Sequence, residues 1–312
     1  MLDMQLWLII GLDTFEEERG TEHTDRPEPL KPPSSHGSTA MSETFQTTGA
    51  AVSDADLLDR TADAVRAAGA ALRERFGDVV PYETREELMR ALAVNDDAAL
   101  DILRPALTAL RPDAGWVEDE LDGGALPPGE WWVVDPAEGN VNHLHALPEW
   151  AVTATLVREN QPVLTVVHLP LTGETYTALI GEGAHLDGRP LRVSPTTDLG
   201  LALVATSQAR PDEDEAVVRR VGSSITAMLF GALVVRTSVP ATLHLVNVAA
   251  GRTDAFWQFA GARADLLPGA LLVTEAGGRI SDAEGRPWTP RSDSFLAAAP
   301  GVHAEAVRTL AL

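Results

Sequence analysis

The sequence predicts a mixed protein of the α+β or α/β class, and three features predict it. Apolar residues recur at helical spacing in two segments before residue 112. Four apolar runs between residues 131 and 180 are separated only by short turns. From about residue 196, strand-like and helix-like segments alternate. Consecutive strands with short turns imply an antiparallel sheet, and alternation implies a smaller α/β half packed on the first. The chain thus divides into a disordered leader at 1–52, an N-terminal α+β half at 53–195 and a C-terminal α/β half at 196–312.

The leader is assigned from composition. Residues 13–52 are rich in Glu, Thr, Pro, Ser and Gly, with Pro27, Pro29, Pro32 and Pro33 close together, and carry too little apolar surface to fold. Met41 is an alternative start. Ser53 suits the N-cap of a helix that turns Leu57, Leu58, Ala62, Val65, Ala68 and Leu72 inward and ends near Gly77. A second helix is expected after Asn95-Asp96, burying Leu100, Leu103, Ala106, Leu107 and Leu110 before Pro112. Strands follow at 131–134, 150–157, 163–168 and 175–180, with turns at Asn160-Gln161-Pro162 and Leu171-Thr172-Gly173. The second half reads as a strand at 201–206, a helix from 212, a strand at 233–236, a helix at 241–250, a strand at 254–259 and a helix from Asp265. That last helix closes at Gly277-Gly278, where glycine suits the left-handed C′ position. Trp131, Trp132, Trp150, Trp257 and Trp288 are assigned to core and near-core packing.

Composition narrows the function. At 312 residues the chain can bury a large core. Its net charge of −22 repels nucleic acid and anionic membrane, so neither is expected as a partner. The absence of cysteine removes disulfides, thiolate nucleophiles and cysteine metal sites. The apolar run Leu6-Trp7-Leu8-Ile9-Ile10-Gly11-Leu12 is too short to span a bilayer and lacks the basic flank of a signal peptide, which makes the cytoplasm the expected compartment.

The chemistry concentrates in Trp131-Trp132-Val133-Val134-Asp135-Pro136-Ala137-Glu138-Gly139-Asn140-Val141-Asn142. Here an apolar strand runs into two carboxylates three apart and then a glycine turn. Asp135 and Glu138 can chelate a hard cation through oxygen, while the amides of Gly139 and Asn140, if they open a helix, point at an anion. Upstream lies Trp116-Val117-Glu118-Asp119-Glu120. Downstream lies Asp265-Leu266-Leu267-Pro268-Gly269, with Glu275-Ala276-Gly277-Gly278 beyond it.

In this order the three blocks resemble the inositol monophosphatase family of magnesium-dependent, lithium-sensitive phosphatases, over roughly residues 50 to 312. Members read Gly-Glu-Glu, then Asp-Pro-Ile-Asp-Gly-Thr-Thr-Asn-Phe, then Trp-Asp-x-Ala-Ala-Gly and Glu-Ala-Gly-Gly. The resemblance implies a layered αβαβα sandwich with the site between its halves, and often a homodimer. It also implies two or three Mg²⁺, with Mn²⁺ or another divalent ion as alternatives. Glu118, Asp135 and the Ala137 carbonyl would hold one ion, and Asp135, Glu138 and Asp265 a second. Glu118 and Asn140 would serve the catalytic water. Asp96 matches a further acid of the family, with a helix N-cap as its other reading. Gly139, Asn140, Ala241 and Gln258 would contact the phosphate and substrate.

The sequence departs from the family at several of these positions. Glu138 stands for an aspartate, Asn140 and Val141 for two threonines, Ala264 for a tryptophan, and Leu267-Pro268 for a small Ala-Ala pair. Val239-Pro240-Ala241 replaces Gly-Ser-Ala or Gly-Thr-Ala, and Gln258 replaces a polyol-binding glutamate, so inositol phosphate is not the expected substrate. His143 and His145 would share one face if on a strand, offering transition-metal ligands, or else are ordinary core and family histidines. The expected activity is phosphomonoester hydrolysis of a small phosphorylated metabolite, by in-line attack of metal-activated water. The alternatives are a repurposed biosynthetic enzyme and a catalytically silent binding protein.

Overall fold

Ser53 caps the first helix through its side chain, which accepts from the Asp56 amide at 3.1 Å, and α1 runs Asp54–Glu74. Leu57, Ala62, Val65, Ala68 and Leu72 are fully buried on one face. The computed structural model describes residues 53–77, 81–118, 124–210, 213–259 and 263–311. The expected leader and the alternative start at Met41 lie outside them.

The second helix, α2 (Arg85–Leu110), begins well before the position expected after Asn95-Asp96 and runs through both residues. Its start is set by Thr84, whose hydroxyl accepts from the Glu87 amide at 3.2 Å, while the Glu87 carboxylate returns to the Glu83 amide at 3.0 Å. Asp96 therefore lies inside the helix, and the N-cap reading of it is wrong.

A seven-stranded sheet follows in chain order: β1 (Gly115–Trp116), β2 (Glu130–Glu138), β3 (Ala151–Arg158), β4 (Gln161–Leu169), β5 (Glu174–Leu179), β6 (Gly183–Leu186) and β7 (Arg189–Pro190). All neighbours from β2 onward are antiparallel, as short turns dictate, and only β1 joins β2 in parallel. A short helix, α3 (Asn140–Leu144), leaves the end of β2. The second half contains β8 (Leu203–Thr206), α4 (Glu215–Gly231), β9 (Val234–Thr237), α5 (Ala241–Ala249), β10 (Ala255–Phe259), α6 (Arg263–Glu275), β11 (Arg279–Ser281), β12 (Ser294–Ala298) and α7 (Pro300–Leu310). Its strands order as β11-β12-β10-β8-β9, with β10, β8 and β9 parallel.

Helices α1 and α2 cover one face of the first sheet and α6 the other; α5 joins α6 against the second sheet, whose far side carries α4 and α7. The result is the αβαβα sandwich. One buried cluster runs across both sheets, from Val167 and Tyr176 through Leu245 and Phe256 to Leu272. In place of the small pair expected at 267 and 268, close approach of α5 and α6 is secured by Gly269, where any Cβ would overlap the Leu245 side chain. Leu267 instead packs with Val133, Val157 and Ala264. The Gly278 amide donates to the Val273 carbonyl at 2.8 Å and the Gly277 amide to that of Thr274 at 3.0 Å, so α6 ends at the expected glycines.

Candidate active site

The end of β2 builds the centre through an irregularity. Asp135 pairs with Thr153 and Glu138 with Ala151, so three steps along β2 match two along β3. In a regular strand residues three apart face opposite ways; the extra residue in this bulge turns both carboxylates to one side. The Ala137 amide closes the bulge by donating to Asp135 Oδ1 at 3.0 Å. Asp265, in the first turn of α6, brings a third carboxylate, and the ligand atoms of Asp135, Glu138 and Asp265 lie within 4.8 Å of one another. Thr242, in the first turn of α5, links the pieces: its hydroxyl lies 3.1 Å from Glu138 Oε2 and 2.8 Å from the Asp265 carbonyl oxygen. Sequence reasoning missed Thr242, although it adjoins the singled-out Val239-Pro240-Ala241.

Three acids packed this way repel one another. Asp135 is 9% exposed and Glu138 2%. Burial, and then the charge of Asp265, push Asp135 up to about 7. Burial and the charges of Asp135 and Asp265 push Glu138 well above the usual carboxylate range. Burial lifts Asp265 to about 6 against the opposing charge of Arg210. The donor set is all oxygen, compact and short of positive charge, which fits a hard divalent cation.

Asp96 adds a fourth acid on the α2 side. Burial raises it to about 7, opposed by a hydrogen bond from Asn140, and its charge reaches Asp135. Asn140 Nδ2 donates to Asp96 Oδ1 at 2.7 Å and to the Leu92 carbonyl at 3.0 Å. Gly139 precedes it with φ +81°, and an added Cβ would lie 2.7 Å from the Glu149 carbonyl oxygen and 3.1 Å from the Pro240 ring. The chain must therefore turn here through glycine before α3 starts at Asn140.

Glu118 lies outside the carboxylate cluster. It is exposed, and Arg104 takes both its oxygens in a fork at 2.9 and 2.7 Å while stacking over Trp116 at 4.5 Å. A carboxylate held this way by a bidentate guanidinium is not poised for a cation, and its pKa is lowered by that hydrogen bond. The neighbouring Asp119 and Glu120 lie outside the described residues.

The histidines are on a helix and its cap, not a strand. Both nitrogens of buried His143 are engaged, Nε2 with the Leu72 carbonyl at 2.9 Å and Nδ1 with Asn95 Nδ2 at 3.0 Å. That leaves no lone pair for a metal. His145 Nδ1 lies 2.8 Å from the Val141 carbonyl. In the second half, Gln258 Oε1 accepts from the Ser207 hydroxyl at 2.6 Å, beyond the C-terminal end of β8, and Ala241 is buried as the first residue of α5. Ligands of open α/β sheets bind at such strand ends.

An αβαβα sandwich with an oxygen-only acidic centre is the architecture of metal-dependent phosphatases. The chain matches the inositol monophosphatase family over residues 54–311 and belongs to it. It is 31% identical over 237 residues to inositol monophosphatase 3 of Solanum lycopersicum, covering 73% of this chain and 86% of that protein. It is 34% identical over 208 residues to Nus factor SuhB of Pseudomonas aeruginosa, covering 67% and 74%. Among solved structures it resembles the extragenic suppressor protein suhB of Bartonella henselae, with a TM-score of 0.71 at 27% identity over 82% of this chain and 98% of that one. An IMPase of Thermotoga maritima gives a TM-score of 0.70 at 26% identity, covering 82% and 96%.

Proposed function

We propose that this chain is a metal-dependent phosphomonoesterase acting on a small phosphorylated metabolite other than inositol phosphate. The observation that carries this reading is the grouping of Asp135, Glu138 and Asp265 within 4.8 Å. These three side chains would hold Mg²⁺, or Mn²⁺ in its place, with the Ala137 carbonyl beside them; Glu118 drops out of the set because Arg104 occupies it. When bound, such cations neutralise the phosphate ester and lower the pKa of water. The chain's own groups do the rest. Asp96 accepts a proton from the attacking water, Asn140 fixes Asp96, and Thr242 fixes Glu138. Gly139 and Asn140 would meet the phosphate, and Ala241, Ser207 and Gln258 the alcohol. Gln258 brings no charge to a polyol, which supports a less polar leaving group.

A second reading is a protein that binds without turnover. It is favoured by Asn140, whose amide cannot relay a proton as a hydroxyl can, and by relatives named Nus factor SuhB. The acidic charge of −22 supports a small-molecule rather than a nucleic-acid partner. A homodimer is supported by the exposed apolar side chains of Leu201, Leu229, Phe230, Leu233 and the edge-strand residue Val234; Phe230 is 91% exposed. A cytoplasmic location is proposed from the lack of cysteine; among the described residues no helix is long and apolar enough to cross a membrane.

The test is phosphate release from sugar, polyol and nucleoside monophosphates by chelator-stripped protein, before and after Mg²⁺ or Mn²⁺ is restored. Release that requires metal and is lost in Asp265→Asn supports the phosphatase; no release with any substrate supports the binding reading.

A further inference from the structure

Behind the carboxylate centre runs a chain of hydrogen bonds with a single direction. Arg75, the residue that ends α1, donates from Nε to Asn95 Oδ1 at 3.1 Å. Asn95, 2% exposed, donates from Nδ2 to Asn140 Oδ1 at 2.9 Å and to His143 Nδ1 at 3.0 Å. Asn140 Nδ2 donates in turn to Asp96 Oδ1 at 2.7 Å and to the Leu92 carbonyl. A guanidinium has no acceptor and a backbone carbonyl no donor, so both ends of the chain are fixed by chemistry. The orientation of each amide between them follows: Asn95 turns its oxygen to Arg75, and Asn140 turns its nitrogen to Asp96. His143 is locked as the tautomer that donates from Nε2 to Leu72.

We propose that Arg75 and Asn95 are positioning residues for catalysis, acting through Asn140 to hold one oxygen of Asp96 and leave the other to accept from the attacking water. An amide is symmetric in shape, but turning its oxygen toward Asp96 and the Leu92 carbonyl would set acceptors against one another. Asn95 reinforces the orientation that avoids this by filling the Asn140 oxygen with a donor, and Arg75 does the same for Asn95. Hydrogen bonds in series polarise one another, so the cation at one end strengthens the donor offered to the carboxylate at the other. The asparagine that stands at 140 in place of a hydroxyl thereby gains a fixed donor direction that a freely turning amide lacks. This inference rests on the phosphatase reading for its kinetic consequence, but not for the hydrogen-bond chain itself.

The chain has only five asparagines, at 95, 140, 142, 160 and 247, so selective ¹⁵N-asparagine labelling gives five side-chain amide groups to follow by NMR. Arg75 is exposed, and Arg75→Met removes the first donor at a surface position. The expected result is that the Asn95 and Asn140 amide signals move and exchange faster with water, while those of Asn160 and Asn247 stay, and that Arg75→Lys restores them. In phosphate release, Asn95→Asp can still accept from Arg75 but cannot donate to Asn140. Its kcat should fall by on the order of tenfold with KM little changed, a part of the roughly 10²–10⁴ that a positioned base supplies. Unmoved Asn140 signals in Arg75→Met overturn the relay, and moved signals with unchanged kcat in both variants overturn its role in catalysis. A wild type that releases no phosphate overturns the phosphatase reading and this catalytic role with it, and leaves the amide signals to decide the relay alone.

Discussion

Replacing Asp135 by asparagine should stabilise the metal-free protein at alkaline pH and abolish its response to metal. In the metal-free fold burial, and then the charges of Asp265 and Asp96, push Asp135 up to about 7 from the ordinary aspartate value of 3.8. The folded chain then binds more protons than the unfolded chain between those values, so this group's contribution to stability falls as pH rises from about 4 to about 7 and is flat above. Three units at 1.36 kcal/mol each amount to roughly 4 kcal/mol at full value, of which about 3 kcal/mol develops between pH 5 and pH 8. Burial depresses His143, His168, His244 and His303, and these give the opposite slope below their ordinary value. The comparison must therefore be a difference between wild type and Asp135→Asn, in which the histidines cancel. Urea unfolding of both chelator-stripped proteins at pH 5 and pH 8 measures it. The variant should gain on the wild type by about 3 kcal/mol between the two pH values. Mg²⁺ should then stabilise the wild type at pH 8 and leave the variant unmoved. A difference independent of pH, or equal stabilisation of both by Mg²⁺, would refute the assignment of Asp135 to a repelling, cation-holding cluster.

Other consequences follow from single contacts. Glu118→Gln breaks an exposed ion pair with Arg104, so unfolding should register a loss of under about 1 kcal/mol and calorimetry an unchanged Mg²⁺ affinity; lost affinity would return Glu118 to the ligand set. Gly269→Val places side-chain atoms inside Leu245 and should destabilise by about 1–3 kcal/mol or more, read as a lowered Tm. Gly139→Ala meets both a left-handed φ and the Glu149 carbonyl, and should cost on the order of 1–3 kcal/mol while lowering metal affinity, because the same turn carries Glu138.

Much of the fold is readable locally. Ser53 capped its helix, the strands of the meander carried continuous apolar runs, and Gly277-Gly278 closed α6 through the hydrogen bonds glycine permits. The start of α2 was also local, in the Thr84-Arg85-Glu86-Glu87 cap, and was passed over because Asn95-Asp96 offered a competing signal. Strands β1, β6 and β7, of two to four residues, are too short to show a period. In the site, spacing singled out Asp135 and Glu138 and the resemblance singled out Asp265, and the fold groups the three carboxylates. Glu118 was displaced by a partner fourteen residues away, Arg104, which no motif announces. For His143 the strand face is one of two readings the sequence leaves open; the bulge that ends β2 and the glycine that opens α3 hide the change of period that rules it out, and the buried core histidine is the reading the fold matches. Asn95 and Thr242 reach Asn140 and Glu138 through contacts 45 and 104 residues distant, and polar residues of that kind carry no sequence period.

The most direct measurement is divalent-ion binding by calorimetry at pH 8, on the chelator-stripped wild type, Asp135→Asn and Asp265→Asn, joined to phosphate release by the same samples. Metal should bind the wild type and fail to bind either variant, with phosphate released only where metal binds. Metal binding that survives in both variants, or phosphate release by the stripped wild type, would contradict a cation centre built from Asp135, Glu138 and Asp265.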